Sequence, residues 1–316
     1  METKWLEDFV SLAETRSFSR SAQLRHVTQP AFSRRIQALK AWAGIDLVDR
    51  SSYPTRLTPA GKTLYDQALE ILQALHNTRG MVRAHGSAGR DMVSFAVPHT
   101  LAFTFFPAWV SELHEKFGPI KSRLIALNVH DAVMRLVEGG CDLLVTYHHP
   151  SQPLQLSEDR YDMVILGQER LSPYSKPDAD GRPLHCLPGT ATQPLPLLGY
   201  APGAYLARVT EQLLKDAGVP VHLDRVYETD MAEGLKAMVL EGHGLAFLPQ
   251  SAVQKELRAG LLVRAEPPGE ARFEAVMEVR AYREKPPQVE GVRSRAQALW
   301  DYLRMQEAVS SPSGPR

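Results

Sequence analysis

Four polar side chains that can read base pairs recur at helical spacing in residues 29–37. Gln29, Ser33 and Gln37 follow one another at intervals of four, and Arg34 lies beside them. The major groove of DNA admits one α-helix, in which Arg can pair bidentately with guanine and Gln with adenine. The segment therefore predicts a recognition helix for double-stranded DNA.

Basic residues are concentrated around this segment. From Arg16 to Arg56 the chain has eight Lys and Arg against two Asp. Residues 1–90 carry a net charge of +5 and residues 91–316 a net charge of −5, so the whole chain is neutral. The positive charge of residues 1–90, the head of the chain, beside the negative charge of the remainder predicts a polyanionic partner for the head. A solvated basic surface accounts for the charge alone equally well.

Three short helices must position these residues. Ser19 is the predicted N-cap of the second helix, and Thr28 that of the third, with Pro30 in its first turn. Gly44 ends the third helix in the manner of a C′ glycine. Its buried stripe has spacings of 4, 3 and 4 and comprises Phe32, Ile36, Leu39 and Ala43.

A small wing is predicted at residues 46–57, where two short extended pieces flank a turn. Arg50 and Arg56 flank this wing and suit phosphate or minor-groove contacts, whereas Arg35 suits a phosphate. The residues predicted to contact DNA are Gln29, Pro30, Ser33, Arg34, Arg35, Gln37, Arg50 and Arg56.

A long helix follows, capped by Thr58 and running to about residue 84, before a hinge at residues 85–89. Apolar and small residues recur along it at alternating spacings of 4 and 3, as in a coiled-coil seam. An ordinary amphipathic helix is the alternative, and the sustained alternation favours a dimerisation helix. The stripe comprises Leu64, Ala68, Ile71, Leu75, Thr78 and Val82.

The remaining chain alternates predicted strands and helices in two βα halves. The spacing predicts a helix over 101–117 and a closing helix over 288–303, and the chain crosses between halves near Met163 and near Phe273. Two α/β lobes joined by two crossings predict a cleft with a hinge. We expect a winged helix-turn-helix at 1–58, a linker helix and hinge at 59–89, and a two-lobed α/β domain, like a periplasmic binding protein, at 90–305. Lobe I is predicted at 90–162 and 274–305, lobe II at 163–273, and a disordered tail at 306–316.

Residues 17–22 and 27–39 resemble the DNA-binding signature of LysR-type transcriptional regulators. Residues 44–50 and 57–61 extend the resemblance over the first 60 residues. The rest of the chain resembles the family in the order of its parts, a linker helix followed by a two-lobed effector-binding domain. Three positions depart from the family's usual residues: Thr28 replaces Ser, Lys40 replaces an acid and Val48 replaces Phe. Thr28 keeps a hydroxyl that can cap the helix, and Val48 keeps an apolar side chain. The resemblance implies a homotetramer that binds promoter DNA, with RNA polymerase as a further expected partner.

The predicted effector site lies at the carboxyl ends of the strands, where open α/β sheets bind ligands. Thr100 and Thr229 precede helices whose free N–H groups suit an anion, so the effector is expected to be a small molecule such as a carboxylate. The resemblance also places a cleft-lining hydroxyl at Thr100. For each candidate a packed or surface role is the alternative. The candidates are His99, Thr100, Thr146, His148, Tyr200, Thr229 and Phe247.

Oxidation is an alternative signal. Residues 4–6, 32–35 and 138–142 are similar to the hypochlorite-responsive branch of the family. Met231 and Met238 lie on one predicted helix, and oxidation makes a methionine side chain polar. The candidate oxidation sites are Met231, Met238 and Cys141. Core packing explains both methionines as well, and Cys141 fits a small buried residue better than a reactive thiol.

Several classes of protein do not fit the sequence. It has no phosphate-binding loop, no nucleophile elbow and no metal-ligand spacing, so we expect neither an enzyme nor a cofactor or metal. The acidic start and the absence of a long apolar run predict a cytoplasmic protein without membrane contact. A solute-binding or enzymatic α/β protein with an accessory interaction head is the alternative of another class, but it leaves the basic head unexplained.

Overall fold

A computed structural model describes residues 2–49, 55–84, 92–154, 156–267, 272–286 and 294–310. The chain divides into two compact units, residues 1–90 with 134–140 and residues 91–133 with 141–316. Helices dominate the first unit, and two sheets with flanking helices form the second.

Three helices form the head: α1 (Thr3–Thr15), α2 (Phe18–Leu24) and α3 (Gln29–Ala43). Phe9 and Phe32 are fully buried in their common core. The ring of Phe18 meets that of Phe32 edge to face, with centroids 6.0 Å apart. Burial of these apolar side chains stabilises the packing of the helices, and the three predicted helices are confirmed.

The ends of α3 follow local capping rules. Thr28 Oγ1 accepts a hydrogen bond from the N–H of Ala31, and Pro30 occupies the first turn. Gly44 ends the helix in the left-handed conformation with φ of 72°, which costs glycine little. Both predicted caps of α3 are therefore confirmed.

The predicted cap of α2 is wrong. Ser17 is the N-cap, and its hydroxyl accepts from the N–H of Arg20 at 3.4 Å. Ser19 lies in the first turn instead, where its hydroxyl donates to Gln29 Oε1 at 3.2 Å. Two serines two residues apart offer the same capping chemistry, and packing of Phe18 decides between them.

The wing and the long helix follow. β1 (Val48–Asp49) pairs antiparallel with β2 (Arg56–Leu57). Thr58 directly precedes α4 (Pro59–Ala84), and its Oγ1 accepts from the N–H of Gly61 at 3.0 Å. The predicted wing, cap and helix are confirmed, while Arg50 and the hinge at 85–89 lie outside the described residues.

The predicted seam of α4 changes character along the helix. Leu64 is partly buried and Ala68 fully buried against the head core, but Ile71 is 38 % and Leu75 51 % exposed. Thr78 is also exposed, and the side chain of Val82 lies outside the described residues. The stripe is therefore not one continuous seam, since its first two positions complete the head.

The rest of the chain alternates strands and helices. The helices are α5 (His99–Thr104), α6 (Phe106–Lys116), α7 (Val129–Val137), α8 (Tyr205–Asp216), α9 (Ala232–Leu240), α10 (Gln250–Arg258) and α11 (Arg295–Ser310). The strands are β3 (Met92–Pro98), β4 (Lys121–Leu127), β5 (Leu143–His148), β6 (Tyr161–Ser175), β7 (Leu195–Tyr200), β8 (Leu223–Thr229), β9 (Ala246–Pro249), β10 (Val263–Arg264) and β11 (Ala275–Glu284).

The larger sheet has the strand order β10-β6-β11-β5-β3-β4, with β9 also paired to β6. β3 is parallel to both β4 and β5, and β11 is antiparallel to both β5 and β6. β7 and β8 form a separate parallel pair. The parallel strands place the carboxyl ends of β3, β4 and β5 at one edge.

β6 and β11 are the two crossing strands. The first part of β6 pairs with β11, and residues 171–175 pair with β9 and β10. A strand this long links the two halves of the second unit. The crossings predicted near Met163 and Phe273 fall on β6 and just before β11, and the bounds of the two lobes stay predictions.

Two predicted helices differ from the structure. The helix predicted over 101–117 is divided at Phe105, because Pro107 has no N–H to continue the hydrogen-bond ladder. The closing helix begins at Arg295 and continues to Ser310, so residues 306–310, predicted as disordered tail, are helical. Met305 to Ala308 are good helix formers, and residues 311–316 lie outside the described part. None of the described helices is long and apolar enough to span a lipid bilayer.

Candidate nucleic-acid interface and ligand-binding cleft

The exposed face of α3 presents the predicted base-reading residues. Gln29, Pro30, Arg34 and Gln37 are exposed and Ser33 is partly exposed. Residues three and four apart share one helix face, so the structure brings these five together. The opposite face packs into the head core and fixes the orientation of the helix.

Arg34 and Gln37 are available for contacts outside the chain. Within the described part of the molecule, neither side chain makes a hydrogen bond or ion pair. Gln29 differs, because its Oε1 accepts from Ser19 while its amide N–H groups stay available. An unpaired guanidinium beside two amides gives this face the donors and acceptors that base edges require.

Arg35 is turned towards the head instead. Its Nη1 donates to Asp8 Oδ2 at 3.0 Å, and the Asp8 side chain is fully buried. Arg25 Nε donates to the other Asp8 oxygen at 3.0 Å. Arg35 therefore joins α3 to α1 through Asp8, and the DNA contact predicted for it from the sequence stays a prediction. The signal that was missed is Asp8, an acid beside the buried Phe9 of α1.

The wing adds one described cation to the exposed surface of the head. Arg56 is exposed on β2, opposite Asp49. The backbone O of Arg16 accepts from the Thr55 N–H at 3.2 Å, which ties the wing to the end of α1. Arg56 is placed to meet a phosphate beside the helix.

In the second unit, the predicted ligand-binding residues lie at strand ends. His99 and Thr100 follow β3, His148 ends β5, Tyr200 ends β7 and Thr229 ends β8. Thr100 is buried in the first turn of α5, and its backbone O accepts from Thr104 Oγ1. Thr229 Oγ1 accepts from the N–H of Met231 at 3.3 Å, ahead of α9.

Tyr200 and Phe247 line one small cavity of about 30 Å³ together with Gly199 and Arg225. This volume accommodates a water molecule but no organic effector.

The side chains of the last residues of β5 lie alternately on the two faces of the sheet. Thr146 is opposite Arg280 of β11 and His148 is opposite Glu278, whereas Tyr147 is opposite Val279. Residues directly opposite in an antiparallel pair lie on the same face. Thr146 and His148 therefore share a face with Glu278 and Arg280, and Tyr147 lies on the other.

The face with Thr146 holds a polar cluster. Arg280 Nε donates to Glu278 Oε2 at 2.6 Å, and Arg280 Nη1 donates to the hydroxyl of Tyr282 at 3.4 Å. Burial and the charge of Arg280 lower the pKa of His148. Arg280 was not predicted from the sequence, although the polar alternation of residues 278, 280 and 282 along a strand is a signal for it.

The face with Tyr147 holds a second cluster, in which the charged group is the carboxylate of Glu169. Burial and then the carboxylate of Glu169 raise the pKa of both Tyr147 and Tyr200. Glu169 is buried on β6 and accepts from the Ser251 N–H at 3.2 Å, where α10 begins. Neither tyrosine hydroxyl has a hydrogen-bond partner among the described residues. Neither Tyr147 nor Glu169 was among the residues predicted from the sequence.

One tyrosine bridges the two halves of this unit. The Tyr205 hydroxyl, at the start of α8, accepts from the N–H of His149 at 2.7 Å. The rings of Tyr205 and Tyr147 are stacked with centroids 6.4 Å apart. Arg208 Nε, one turn further along α8, donates to Gln152 Oε1 at 2.9 Å. The segment after β5 is thus held to α8.

The three predicted oxidation sites lie in different environments. Met231 is 41 % exposed at the start of α9, Met238 is partly buried against the core, and Cys141 is buried. Within the described ranges, no group of His, Cys, Asp and Glu is arranged to hold a metal ion.

A recognition helix with a wing, followed by crossing α/β halves, defines a transcription regulator with a separate ligand-binding domain. Residues 3–62 match the family of bacterial regulatory helix-turn-helix proteins of the lysR type, and residues 86–307 match the LysR substrate binding domain. The chain belongs to the LysR family of transcriptional regulators.

Three relatives illustrate the similarity. The HTH-type transcriptional regulator YjiE of Escherichia coli K12 is 32 % identical over 282 residues, 89 % of this chain and 88 % of that protein. Vibrio fischeri DarR, solved in complex with DNA, is 30 % identical with a TM-score of 0.55 over 96 % of this chain and 98 % of that one. Full-length HypT from Salmonella typhimurium, a hypochlorite-specific regulator, is 29 % identical with a TM-score of 0.57 over 98 % and 99 %.

Proposed function

We propose that α3 reads promoter DNA in the major groove and that a small molecule bound between the two α/β halves modulates this contact. The observation that carries the DNA reading is the exposed, unpaired guanidinium of Arg34 beside Gln37 on a helix fixed by its buried face. The solved complex of DarR with DNA supports the same use of the head. Gln29, Pro30 and Ser33 complete the contact surface.

The basic residues of the head have different roles in this proposal. Arg34 reads a base, Arg56 and Arg50 hold phosphates, and Arg35 positions α3 through Asp8. Phosphate contacts fix the register of a protein on DNA, whereas base contacts carry the sequence information. The protein is accordingly a regulator rather than an enzyme, as its relatives are.

Substitution of Arg34 tests the reading of DNA. A duplex is selected from a random pool with the full-length protein, and its affinity is compared with that of a scrambled duplex at one salt concentration. Arg34→Ala should lower affinity for the selected duplex by about 1–3 kcal/mol and affect the scrambled one little. Arg258→Ala, which removes an exposed Arg from α10, is the matched control. An equal loss on both duplexes would make Arg34 a phosphate contact.

Self-association through α4 belongs to the same proposal. Ile71, Leu75 and Thr78 continue the 4-and-3 spacing on an exposed face beyond the head core. Two copies that pair through this face would present two recognition helices to two half-sites. A tetramer then requires a second contact through the α/β domain.

The ligand is expected at the strand ends that carry His99, Thr100, Thr146, His148, Tyr200, Thr229 and Phe247. Among these candidates, the buried hydroxyls of Thr146 and Tyr200 have no hydrogen-bond partner within the described residues, and this supports a polar ligand there. A thermal-shift screen of the full-length protein against metabolites tests it, because a ligand of the native state raises the melting temperature. A screen without any saturable rise would contradict it.

Oxidation is a second candidate signal, favoured by the exposure of Met231. The thioether of Met231 is accessible at the start of α9, whereas Met238 and Cys141 are less so. The named specificity of HypT for hypochlorite supports this candidate. Met231→Leu should abolish an oxidant-dependent change in DNA affinity that methionine sulfoxide reductase reverses.

A further inference from the structure

Thr146, His148 and Arg280 lie side by side on one face of the β5–β11 pair. Thr146 is directly opposite Arg280, and His148 follows two residues later on the same face. Directly opposite residues have Cβ atoms roughly 5 Å apart. A hydroxyl, an imidazole and a guanidinium are thus within reach of one small group.

Two of these side chains have buried polar atoms without a partner. Thr146 is fully buried, and its Oγ1 makes no hydrogen bond to any described residue. The Nδ1 atom of His148 is likewise buried and unpaired within the described part of the chain. The great majority of buried polar atoms in proteins have a hydrogen-bond partner. Two buried polar atoms without one on the same face therefore point to a partner from outside the chain.

The third side chain, Arg280, is held by a contact that a ligand can replace. Its Nε and Nη2 both lie 2.6 Å from the same oxygen of Glu278, so the second Glu278 oxygen does not join the fork. A carboxylate that approaches the fork with both oxygens makes two parallel bonds. Glu278 is one-third exposed and can turn to solvent when it is displaced.

The surroundings of this face favour a negative group. Burial raises the pKa of Tyr205, at the start of α8, to about 12, and the positive charges of Arg208 and Arg280 both oppose this rise. Arg208 lies over the Tyr205 ring at 5.8 Å. The other face of the sheet has Glu169 beside Tyr147 and Tyr200, and it disfavours an anion.

We infer that Thr146, His148 and Arg280 form a subsite for the carboxylate of the effector, with Glu278 as the internal group that the carboxylate displaces. The inference rests on the proposed ligand-binding function and specifies the chemical class of the ligand. Arg280 takes the carboxylate through its fork, and the Thr146 hydroxyl donates to one of its oxygens.

The test pairs carboxylates with their neutral amides. Thermal shifts of the full-length protein are measured with acetate, benzoate and succinate, and with acetamide, benzamide and succinamide. At least one carboxylate should raise the melting temperature in a saturable manner, and its amide should not. The concentration for half-saturation is then measured for each variant.

Thr146→Val separates a ligand contact from a structural one. It should raise the melting temperature of the unliganded protein, because it removes a buried hydroxyl without a partner. It should also weaken carboxylate binding at least tenfold. Thr210→Val is the matched control, since the Thr210 hydroxyl is buried but donates to Leu206 O at 2.8 Å. The control should not weaken binding.

Glu278→Gln gives a prediction of opposite sign. Removal of the displaced carboxylate should tighten binding several-fold, and the double change Glu278→Gln with Arg280→Met should abolish it. Equal carboxylate binding in wild type, Thr146→Val and the double variant would overturn the subsite and leave ligand binding elsewhere in the domain intact. A response to amides alone would overturn the chemical class. A panel without any response would overturn this inference, while the broader metabolite screen decides the proposed function separately.

Discussion

The carboxylate of Asp8 is fully buried between the guanidiniums of Arg25 and Arg35, each 3.0 Å from one of its oxygens. The contact fastens α1 to the turn before α3 and to α3 itself. The recognition surface is therefore positioned by a buried ion pair as well as by apolar packing. A buried charge is costly when one of its partners is removed.

Removal of the Asp8 charge should loosen the head. Asp8→Asn is expected to cost about 2 kcal/mol, because Arg35 loses its anionic partner while it stays partly buried, and Arg25 keeps only Glu7 and Glu138. Hydrogen exchange in α1 and α3 of the full-length protein should accelerate accordingly. Asp46→Asn is the control, since the Asp46–Lys40 pair is exposed and should change stability by less than about 0.5 kcal/mol. Equal effects of both changes would show that burial of Asp8 contributes nothing.

Arg34 and Arg35 are neighbours in sequence with separate expected roles. Arg35→Ala should accelerate hydrogen exchange in the head and weaken binding of selected and scrambled duplexes alike. Arg34→Ala should leave exchange unchanged, because no described residue contacts its guanidinium. If Arg35→Ala relaxes sequence preference while the head stays as protected as wild type, the positioning role is wrong.

Glu14 makes the stability of the head dependent on pH. Its carboxylate accepts from the Tyr65 hydroxyl at 3.1 Å, and burial raises its pKa to about 7. The Tyr65 bond opposes this rise and the charge of Glu138 adds to it. Because the pKa is higher in the folded than in the unfolded protein, stability is greatest below pH 4.5 and falls as pH rises towards 7.

Glu14→Gln should therefore stabilise the protein only at higher pH. The expected gain is about 2–3 kcal/mol at pH 8 and close to zero at pH 4.5. Melting temperatures of variant and wild type at several pH values give the comparison. Glu70→Gln, an exposed change on α4, is the control and should show no such trend. A gain that is the same at every pH would rule out titration of Glu14.

Tyr205 should control the exchange of one backbone amide. Tyr205→Phe removes the acceptor of the His149 N–H and should cost about 1 kcal/mol. Exchange of the segment after β5 should accelerate while α10 stays protected. Unchanged protection at His149 would show that the bridge between the two halves is not maintained in solution.

The exposed part of α4 should decide the oligomeric state. Leu75→Glu places a charge on a half-exposed apolar position and should shift the protein towards monomers in sedimentation measurements. Thr63→Glu, an exposed change nearer the start of α4, should not. Equal sedimentation of Leu75→Glu and wild type would remove α4 from the interface.

Local signals in the sequence predicted much of this molecule. The cap at Thr28 and the glycine at Gly44 follow from short-range chemistry, and the structure confirms them. The N-cap of α2 was misplaced because Ser17 and Ser19 are chemically equivalent, and only packing distinguishes them. Short-range patterns do not contain that packing.

The candidate sites show the same limit. The common exposed face of Gln29, Arg34 and Gln37 could be predicted because helix spacing is a local property. The ion pair of Arg35 was not predicted, because its partner Asp8 is distant in sequence and joins it only in the folded head. Arg280 was missed because its position opposite Thr146 depends on the register of two strands that lie far apart along the chain.

The most direct test of the account measures whether Arg34 reads a particular base pair. Each base pair of the selected duplex is changed singly, and affinities are measured for wild type, Arg34→Ala and Arg258→Ala at one salt concentration. At the pair that Arg34 contacts, the change should cost wild type and Arg258→Ala about 1–3 kcal/mol and cost Arg34→Ala almost nothing. The same penalties at every position in all three proteins would contradict recognition of DNA through the exposed face of α3.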